Sequence, residues 1–332
     1  MRRFETRAFA RAGLAGNPSD GYFGKTLSLA LREFSARVVI YEWPEVEILP
    51  SRQDLVRFDS LDALAEDVRR NGYYGGLRLV KASLKKFHDY CREHGRVLPR
   101  RNFTVRYRTD VPRQVGLAGS SAIITAAFRA LSKFFEVEIP PHELANWVLA
   151  VEKEELGIQA GLQDRVCQAY EGLVYMDFDR TLMEERGYGQ YLPMDPGLLP
   201  PLYLAYREKY AEVSHVVHGD LRERWERGDR EVVETMDALA RLADRAREVL
   251  LKGRREELGA IMDENFELRR RIVPIQPAHL EMVEAARSAG ASAKFAGSGG
   301  AIVGTPPPGD GWERLRKNLT AVGCRVLALN VT

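Results

Sequence analysis

The sequence is poor in cysteine and has no long hydrophobic run. Its three cysteines, Cys91, Cys167 and Cys324, are far apart in the chain and odd in number, which argues against a disulfide framework or a zinc knuckle. We expect three reduced, mostly buried thiols. No apolar stretch approaches the roughly 20 residues that a transmembrane helix needs, and the first residues do not form the apolar segment of a signal peptide. We therefore expect a cytoplasmic protein with no membrane partner.

The chain also lacks an excess of charge. Its net charge is +2, and acidic and basic residues are interspersed along it, so no surface for nucleic acid is expected. The length of 332 residues is more typical of two domains than of one. Because residues 180–200 are rich in glycine and proline, they predict a connector. We expect an N-terminal domain over residues 1–195 and a C-terminal domain over residues 196–332.

One glycine-rich loop, Pro112–Ser121, runs directly into a predicted helix. Ser120 or Ser121 would cap that helix. A helix N-terminus that follows a glycine-lined loop binds anions, most often phosphate. The common P-loop is excluded, since no Gly-Lys-Ser/Thr closes the stretch. Taken alone, the loop leaves open an ordinary capped helix after a turn.

Two further glycine-rich segments flank this loop in the chain. Leu14–Gly24 is dense in Gly, Asn, Pro and Asp, and its polar side chains could hold a hydroxylated ligand, although a surface turn is the simpler alternative. Ala291–Gly300 leads into a predicted strand, Ala301–Gly304, and by itself favours a tight hairpin.

Two carboxylates stand at positions that suit chemistry. Glu152 ends a predicted helix, and Asp164 follows a glycine-punctuated loop. They could converge on a cation and a reacting hydroxyl. Two solvated acids are the alternative that base rates favour for an arbitrary pair.

Taken together, these segments resemble the GHMP kinases (galactokinase, homoserine kinase, mevalonate kinase and phosphomevalonate kinase). The family's second motif, Pro-x-x-x-Gly-Leu-Gly-Ser-Ser-Ala, is similar to Pro112–Ala122, with Ala118 where the family has glycine. Its first motif is similar to Arg11–Asp20. Its third motif is similar to Lys294–Ala301, with Ser298 and Ala301 as departures. The spacing from Glu152 to Asp164 also matches. Within the family, the chain looks most like the plant-type glucuronokinases, which phosphorylate the anomeric hydroxyl of D-glucuronate.

The resemblance implies an α+β fold, with an N-terminal domain like ribosomal protein S5 domain 2 and a ferredoxin-like C-terminal domain. It implies ATP and Mg²⁺ as cofactors and a small sugar or uronic acid as substrate, in a monomer or homodimer. Two alternatives remain: another sugar-1-kinase (galactose, fucose or heptose type) or a mevalonate-type kinase. A catalytically inactive binding protein is less favoured, because Arg11, Ser121, Glu152 and Asp164 are all of the types that catalysis needs.

The resemblance also assigns roles to residues. Asp164 is catalytic, as a base or an orienting acceptor, with Arg11 beside it; Mg²⁺ is held by Ser121, or less favourably Ser120, together with Glu152. The ATP phosphates contact Arg113, Gln114, Val115, Gly116, Leu117, Ala118, Gly119, Ser120 and Ser121. The candidate substrate contacts are Asn17, Asp20, Tyr22, Gly297, Ser298, Gly299 and Gly300. A uronate carboxylate would also need a cation, for which Lys25 or Arg7 is the candidate. Ala118 requires either a negative φ or tolerated strain in the phosphate turn.

Overall fold

The computed structural model describes residues 2–51, 54, 59–62, 75–207 and 215–331. The chain divides into two compact units. The first comprises Met1–Ala10, Phe34–Val111 and Ala118–Ala169, and the second comprises Arg11–Glu33, Pro112–Leu117 and Tyr170–Thr332. Two long strands, β1 (Arg3–Ala15) and β2 (Lys25–Trp43), pair with each other and contribute residues to both units. The boundary at residue 195 stays a prediction.

Strand β2 is a single strand of 19 residues. The sequence alone favours several short strands here, because strand-like runs occur at Leu27–Leu31, Ala36–Trp43 and Glu45–Leu49. No glycine or proline interrupts the segment between Lys25 and Trp43, so nothing forces a turn there. As a result, β2 is long enough to supply pairing residues to both units.

In the first unit, the C-terminal part of β2 pairs antiparallel with β4 (Asn102–Thr109), with Ala36 opposite Thr109 and Trp43 opposite Asn102. Strand β3 (Glu47–Leu49) pairs parallel with the other edge of β4. The helices of this unit are α1 (Gly76–Glu93), α2 (Gly119–Phe135), α3 (Pro141–Ala150) and α4 (Leu162–Tyr170, whose last residue lies in the second unit).

Aromatic side chains pack between the helices and the sheet of the first unit. The rings of Phe87 on α1 and Phe128 on α2 are 5.9 Å apart, and those of Phe103 on β4 and Phe134 on α2 are 5.3 Å apart. Each pair is edge to face, the arrangement that aromatic quadrupoles prefer. The core therefore fixes α2 against the sheet. The glycine-rich loop Pro112–Ser121, the candidate phosphate loop, runs into this helix.

In the second unit, the N-terminal part of β2 pairs with β5 (Leu173–Asp177), and β5 pairs with β6 (Gln190–Met194). A second antiparallel sheet has the order β10-β7-β9-β8. Its strands are β7 (Tyr203–Tyr206), β8 (Lys294–Phe295), β9 (Ala301–Gly304) and β10 (Arg325–Ala328). The helices are α5 (Arg180–Arg186), α6 (His215–Glu226), α7 (Arg230–Leu251), α8 (Leu258–Ile272), α9 (Pro277–Ser288) and α10 (Trp312–Ala321).

The second unit has its own apolar core, in which Tyr203, Phe266, Met282 and Leu315 are all fully buried. Strands β8 and β9 form a hairpin around the third glycine-rich segment, which confirms the hairpin predicted there. The three cysteines are free and buried, as expected. None of the described helices is long and apolar enough to cross a membrane.

Candidate active site

The phosphate loop ends in a left-handed turn. Helix α2 begins at Gly119, and the preceding residue, Ala118, has φ 61° and ψ 41° with no side-chain cap. The predicted serine cap is therefore wrong, because Ser120 and Ser121 already lie inside the first helical turn. The first backbone N–H groups of an α-helix have no carbonyl partner within the helix, so the start of α2 retains the geometry of an anion site.

The carbonyl oxygen of Ala118 explains how alanine tolerates this turn. It accepts hydrogen bonds from the Gln168 amide (2.9 Å), the Ser121 hydroxyl (3.1 Å) and the Ala122 backbone N–H (3.1 Å). A non-glycine residue in this conformation costs on the order of 1–3 kcal/mol. Three donors on one carbonyl can offset a cost of that size. Of the two possibilities for Ala118, the structure has tolerated strain.

A wide π-turn, Val151–Glu155, continues α3 and carries Glu152. Such turns occur often at functional sites. On this turn Glu154 pairs with Lys86 of α1 (2.5 Å), and Glu155 pairs with Lys85 (2.6 Å). Glu152 itself is fully buried. The two lysines thus hold the outer side of the turn that places Glu152 in the interior of the unit.

Glu152 contacts Ser120 and Arg165. The Ser120 hydroxyl donates to Glu152 Oε1 at 2.7 Å. Ser121, the serine that the sequence assigned to the same site, is fully buried and donates to Ala118 instead. The metal assignment stays a prediction, but Ser120 is the serine that contacts Glu152. Consecutive helical residues point about 100° apart, so only one of the two serines can face Glu152.

Asp164 lies in the first turn of α4. Its Oδ2 accepts a hydrogen bond from Arg165 Nη1 at 3.0 Å, and Arg165 Nε donates to Glu152 Oε2 at 2.6 Å. The structure thus brings Ser120, Glu152 and Asp164 together around one arginine. Arg165 was not predicted from the sequence, although a cation directly beside a candidate catalytic acid was a usable signal.

In the second unit, Arg11 on β1 is 5% exposed. Its Nη1 donates to the backbone carbonyls of Ala296 (2.7 Å) and Gly116 (3.2 Å). Two cations that the sequence analysis did not assign act similarly. Arg269 on α8 donates to the carbonyls of Gly297 (2.6 Å) and Ser298 (3.0 Å), and Lys294 lies nearby on β8.

Lys294 is 1% exposed and holds the first glycine-rich segment. Its ammonium donates to Asn17 Oδ1 (2.5 Å) and to the Gly13 carbonyl (2.6 Å). Burial, reinforced by the charges of Arg269 and Arg11, lowers the pKa of Lys294 well below its ordinary value. Burial and the charge of Arg11 lower the pKa of Arg269 to about 10. Three buried cations therefore fasten the glycine-rich segments of this unit.

The glycines of the third segment serve close packing. A Cβ at Gly297 would lie 2.1 Å from the Gly116 carbonyl oxygen, and a Cβ at Gly300 would lie 3.0 Å from Val115 Cα. A Cβ at Gly299 would lie 3.0 Å from the His279 ring. The sequence predicted that these glycines bring backbone close to a ligand. In the structure, each of these glycines is explained by packing within the protein, because the hairpin lies against the phosphate loop and α9.

The first glycine-rich segment forms a short 3₁₀ turn, Ser19–Tyr22. Asn17 is 4% exposed, and Lys294 occupies its side-chain oxygen. Asp20 is partly buried on the turn. The Tyr22 ring packs 5.5 Å from Trp225 of α6, and burial raises the pKa of Tyr22 to about 12. Asn17 is thus a candidate substrate residue that also has a structural role, because its side chain links the segment to Lys294.

Lys25, with Arg7 as the alternative, was suggested as the cation for a uronate carboxylate, and that assignment stays a prediction. Its ammonium lies 3.0 Å from Asp244 and 3.4 Å from Asp177. Desolvation opposes its charge, but hydrogen bonds and the charges of the two acids outweigh that effect and raise the pKa of Lys25. At the Ser19–Tyr22 turn, Arg222 of α6 donates to the Gly21 carbonyl at 2.9 Å.

Comparison with known proteins places this geometry in a family. The family model of the GHMP kinases N terminal domain matches residues 78–172, and that of the GHMP kinases C terminal matches residues 246–323. Glucuronokinase 1 of Arabidopsis thaliana is 45% identical over 317 residues, which cover 94% of this chain and 87% of the relative. The chain belongs to the GHMP kinase family. Probable glucuronokinase 2 of the same plant is 46% identical over 323 residues, with the same coverage.

Solved GHMP kinase structures share the fold across the chain. The Methanococcus jannaschii mevalonate kinase aligns with a TM-score of 0.75 at 20% identity, covering 100% of this chain and 99% of that one. The Lactococcus lactis galactokinase, solved with galactose, gives 0.78 at 13% identity and covers 99% and 93%. The predicted α+β, two-domain GHMP kinase fold is therefore confirmed. The protein is a phosphotransferase, and GHMP kinases use ATP as the phosphate donor.

Proposed function

We propose that this GHMP kinase transfers the γ-phosphoryl group of ATP to the anomeric hydroxyl of D-glucuronate, giving D-glucuronate 1-phosphate. The identity of 45–46% to the two Arabidopsis glucuronokinases over most of each chain supports the substrate. The observation that carries the chemistry is the cluster of Ser120, Glu152 and Asp164 at the start of α2 and α4. Another sugar-1-kinase activity is the second candidate, since relatives of lower identity include a heptose 7-phosphate kinase.

The phosphate loop and the start of α2 would bind the ATP phosphates. Phosphoryl transfer depends on charge neutralisation and alignment more than on covalent chemistry. The backbone N–H groups at the start of α2 supply donors without a helical partner, and the helix dipole favours negative charge there. Residues Arg113–Ser121 would therefore orient the triphosphate.

Mg²⁺ would be held by the Ser120 hydroxyl and the Glu152 carboxylate. The fit is good, because both donors are hard oxygens and lie 2.7 Å apart. Mg²⁺ in kinases is bound through one or two protein groups plus phosphates and water. When bound, the ion would neutralise negative charge on the phosphates. Ser121 is a poorer candidate, since its hydroxyl is committed to the Ala118 carbonyl.

Asp164 would accept the hydrogen bond of the attacking hydroxyl and take its proton as the new P–O bond forms. One of its oxygens is held by Arg165, so the carboxylate is fixed in direction. Its side chain is 19% exposed, in contrast to the fully buried Glu152. The buried Glu152 therefore suits a metal ligand, and the partly exposed Asp164 suits a group that contacts a sugar. Arg11 would keep the role that the family resemblance gives it, stabilising charge on the transferring group.

The substrate assignment is tested by a coupled ADP-release assay on a panel of acceptors. The panel comprises glucuronate, galacturonate, glucose, galactose, fucose and mevalonate, and phosphorus NMR identifies the phosphorylated position of each product. We expect the highest kcat/KM with glucuronate and phosphate on the anomeric carbon. A higher kcat/KM with a neutral hexose would favour the second candidate, and turnover of mevalonate alone would reject both.

A further inference from the structure

Arg165 contacts both carboxylates of the candidate site at once. Its Nε and Nη2 both donate to Glu152 Oε2, and its Nη1 donates to Asp164 Oδ2 at 3.0 Å. The same Nη1 donates to the Gly161 carbonyl at 2.8 Å, in the loop that precedes α4. The Arg165 side chain is 5% exposed. One planar guanidinium therefore sets the relative direction of the two acids.

Burial makes this arrangement costly to leave incomplete. A buried carboxylate without a partner is strongly unfavourable, and removing one member of a buried ion pair leaves an uncompensated charge. Two negative carboxylates that contact the same side chain also repel each other. The Arg165 guanidinium offsets both effects, because it is planar, permanently charged and presents several N–H donors in a fixed geometry. Arg165 is thus a positively charged side chain of the protein that contacts Glu152, the carboxylate proposed to bind Mg²⁺.

We propose that Arg165 is the resident counter-cation of the metal site. It holds Glu152 and Asp164 aligned before the nucleotide binds, and it shares Glu152 with the incoming metal. This inference rests on the proposed function, since it takes Ser120 and Glu152 as the metal ligands. Two cations on one carboxylate repel each other, so the free metal binds weakly. The phosphates of ATP then supply the additional negative charge, and the metal enters together with the nucleotide.

The test measures metal binding without turnover. Free Mn²⁺ binding is followed by electron paramagnetic resonance in the absence of nucleotide, and kcat is measured separately with saturating MgATP. In Arg165→Gln, removal of the competing charge should tighten free Mn²⁺ binding by about tenfold or more. Its kcat should fall by about 100-fold, because both acids lose their alignment.

Arg165→Lys keeps the charge and loses the fork. It should therefore bind free Mn²⁺ within about threefold of wild type, while kcat falls by about tenfold. Arg129→Gln is the matched control, because Arg129 donates to the carbonyls of Gln168 and Ala169 at the other end of α4 and to no carboxylate in these contacts. We expect it to lower the melting temperature without changing Mn²⁺ affinity.

A folded Arg165→Gln whose Mn²⁺ affinity is unchanged or weaker overturns the inference. If that variant does not fold, Arg165→Lys decides: unchanged kcat rejects the inference, and reduced kcat with unchanged Mn²⁺ affinity supports it. Glu152→Gln tests the proposed metal site separately. Wild-type Mn²⁺ binding in that variant would reject the site itself, whereas loss of binding there leaves the Arg165 result as the test of this inference alone.

Discussion

In the first unit the buried Arg165 contacts two carboxylates, whereas in the second unit the buried Arg269 and Lys294 contact uncharged oxygens. Arg165 is paired with Glu152 and Asp164. Within the described part of the chain, the hydrogen bonds of Arg269 and Lys294 go to backbone carbonyls and to the Asn17 amide oxygen. Burial and the neighbouring positive charges lower the pKa of Arg269 and the pKa of Lys294.

The difference separates two uses of buried charge. The acids of the first unit can exchange one cation for another, so they suit metal binding and proton acceptance. Arg269 and Lys294 are instead hydrogen-bonded to loops and carry their desolvation cost without a carboxylate to offset it. We interpret the arrangement around Arg165 as part of the catalytic chemistry. Arg269 and Lys294 instead fix the glycine-rich loops and create positive potential beneath them.

The largest effect should come from Asp164→Asn. Asparagine keeps the shape of the side chain but cannot take a proton, so kcat should fall by about 10³-fold. ATP affinity, measured with a fluorescent nucleotide, should change little, because the phosphate loop is untouched. Asp179→Asn is the matched control, since Asp179 caps α5 in the second unit and lies outside the proposed chemistry. Wild-type turnover in Asp164→Asn would remove the chemical role from the first unit.

A smaller effect should separate the two neighbouring serines of α2. Ser120→Ala removes the hydroxyl on Glu152, so the Mg²⁺ concentration for half-maximal activity should rise by about tenfold. Ser121→Ala removes a bond to Ala118, so the free energy of unfolding should fall by about 1 kcal/mol with no change in Mg²⁺ dependence. Mg²⁺ titration and urea unfolding of both variants measure this. The reverse pattern would restore the assignment made from the sequence.

That pair of serines shows where sequence reasoning stops. The glycine-rich loops, the helix after them and the two acids follow from local composition and spacing. Whether Ser120 or Ser121 faces Glu152 depends on where α2 begins. That start depends on the left-handed Ala118, whose carbonyl accepts a hydrogen bond from the distant Gln168. The contact between Lys25 and Asp244 was likewise not predicted, because Asp244 is 219 residues away in the chain. Contacts of that range leave no local signal.

The second unit can be tested through the pH dependence of stability. Because the pKa of Lys294 is lowered on folding, the unfolded chain binds more protons between the lowered pKa and about 10.4. Stability from this group therefore rises as pH increases through that window. Lys294→Met should remove this contribution. The difference in unfolding free energy between wild type and variant should shift in favour of wild type by up to about 1.4 kcal/mol per pH unit.

Urea unfolding at several pH values from 7 to 10 measures this difference. Lys25→Met is the control that should stay flat over this range, because the pKa of Lys25 is raised and its contribution declines only above about pH 10.4. A flat difference for Lys294→Met across the range would mean that Lys294 pays no burial cost, and the contrast between the two units would then fail for this residue.

The smallest effect should come from a surface cation of the second unit, Arg222. Its guanidinium lies 5.4 Å from the Tyr22 ring centre and donates to the Gly21 carbonyl, at the turn assigned to the substrate. Unlike Lys294 it is half exposed, and unlike Lys25 it is not held between two acids. We expect Arg222→Gln to raise KM for glucuronate by about five- to tenfold, with kcat nearly unchanged, because an exposed charged contact contributes about 1 kcal/mol.

The control for Arg222 is Arg180→Gln. Arg180 lies 4.4 Å from the centre of the adjacent Phe23 ring and has a similar exposure, but it makes no hydrogen bond to the turn in the contacts described. KM for glucose should be the same in both variants and in wild type, since glucose has no carboxylate. An equal rise of KM for glucuronate and glucose in Arg222→Gln would indicate that this cation only supports the turn. A rise for glucuronate alone would add a third use of charge to the second unit, the recognition of an acidic substrate.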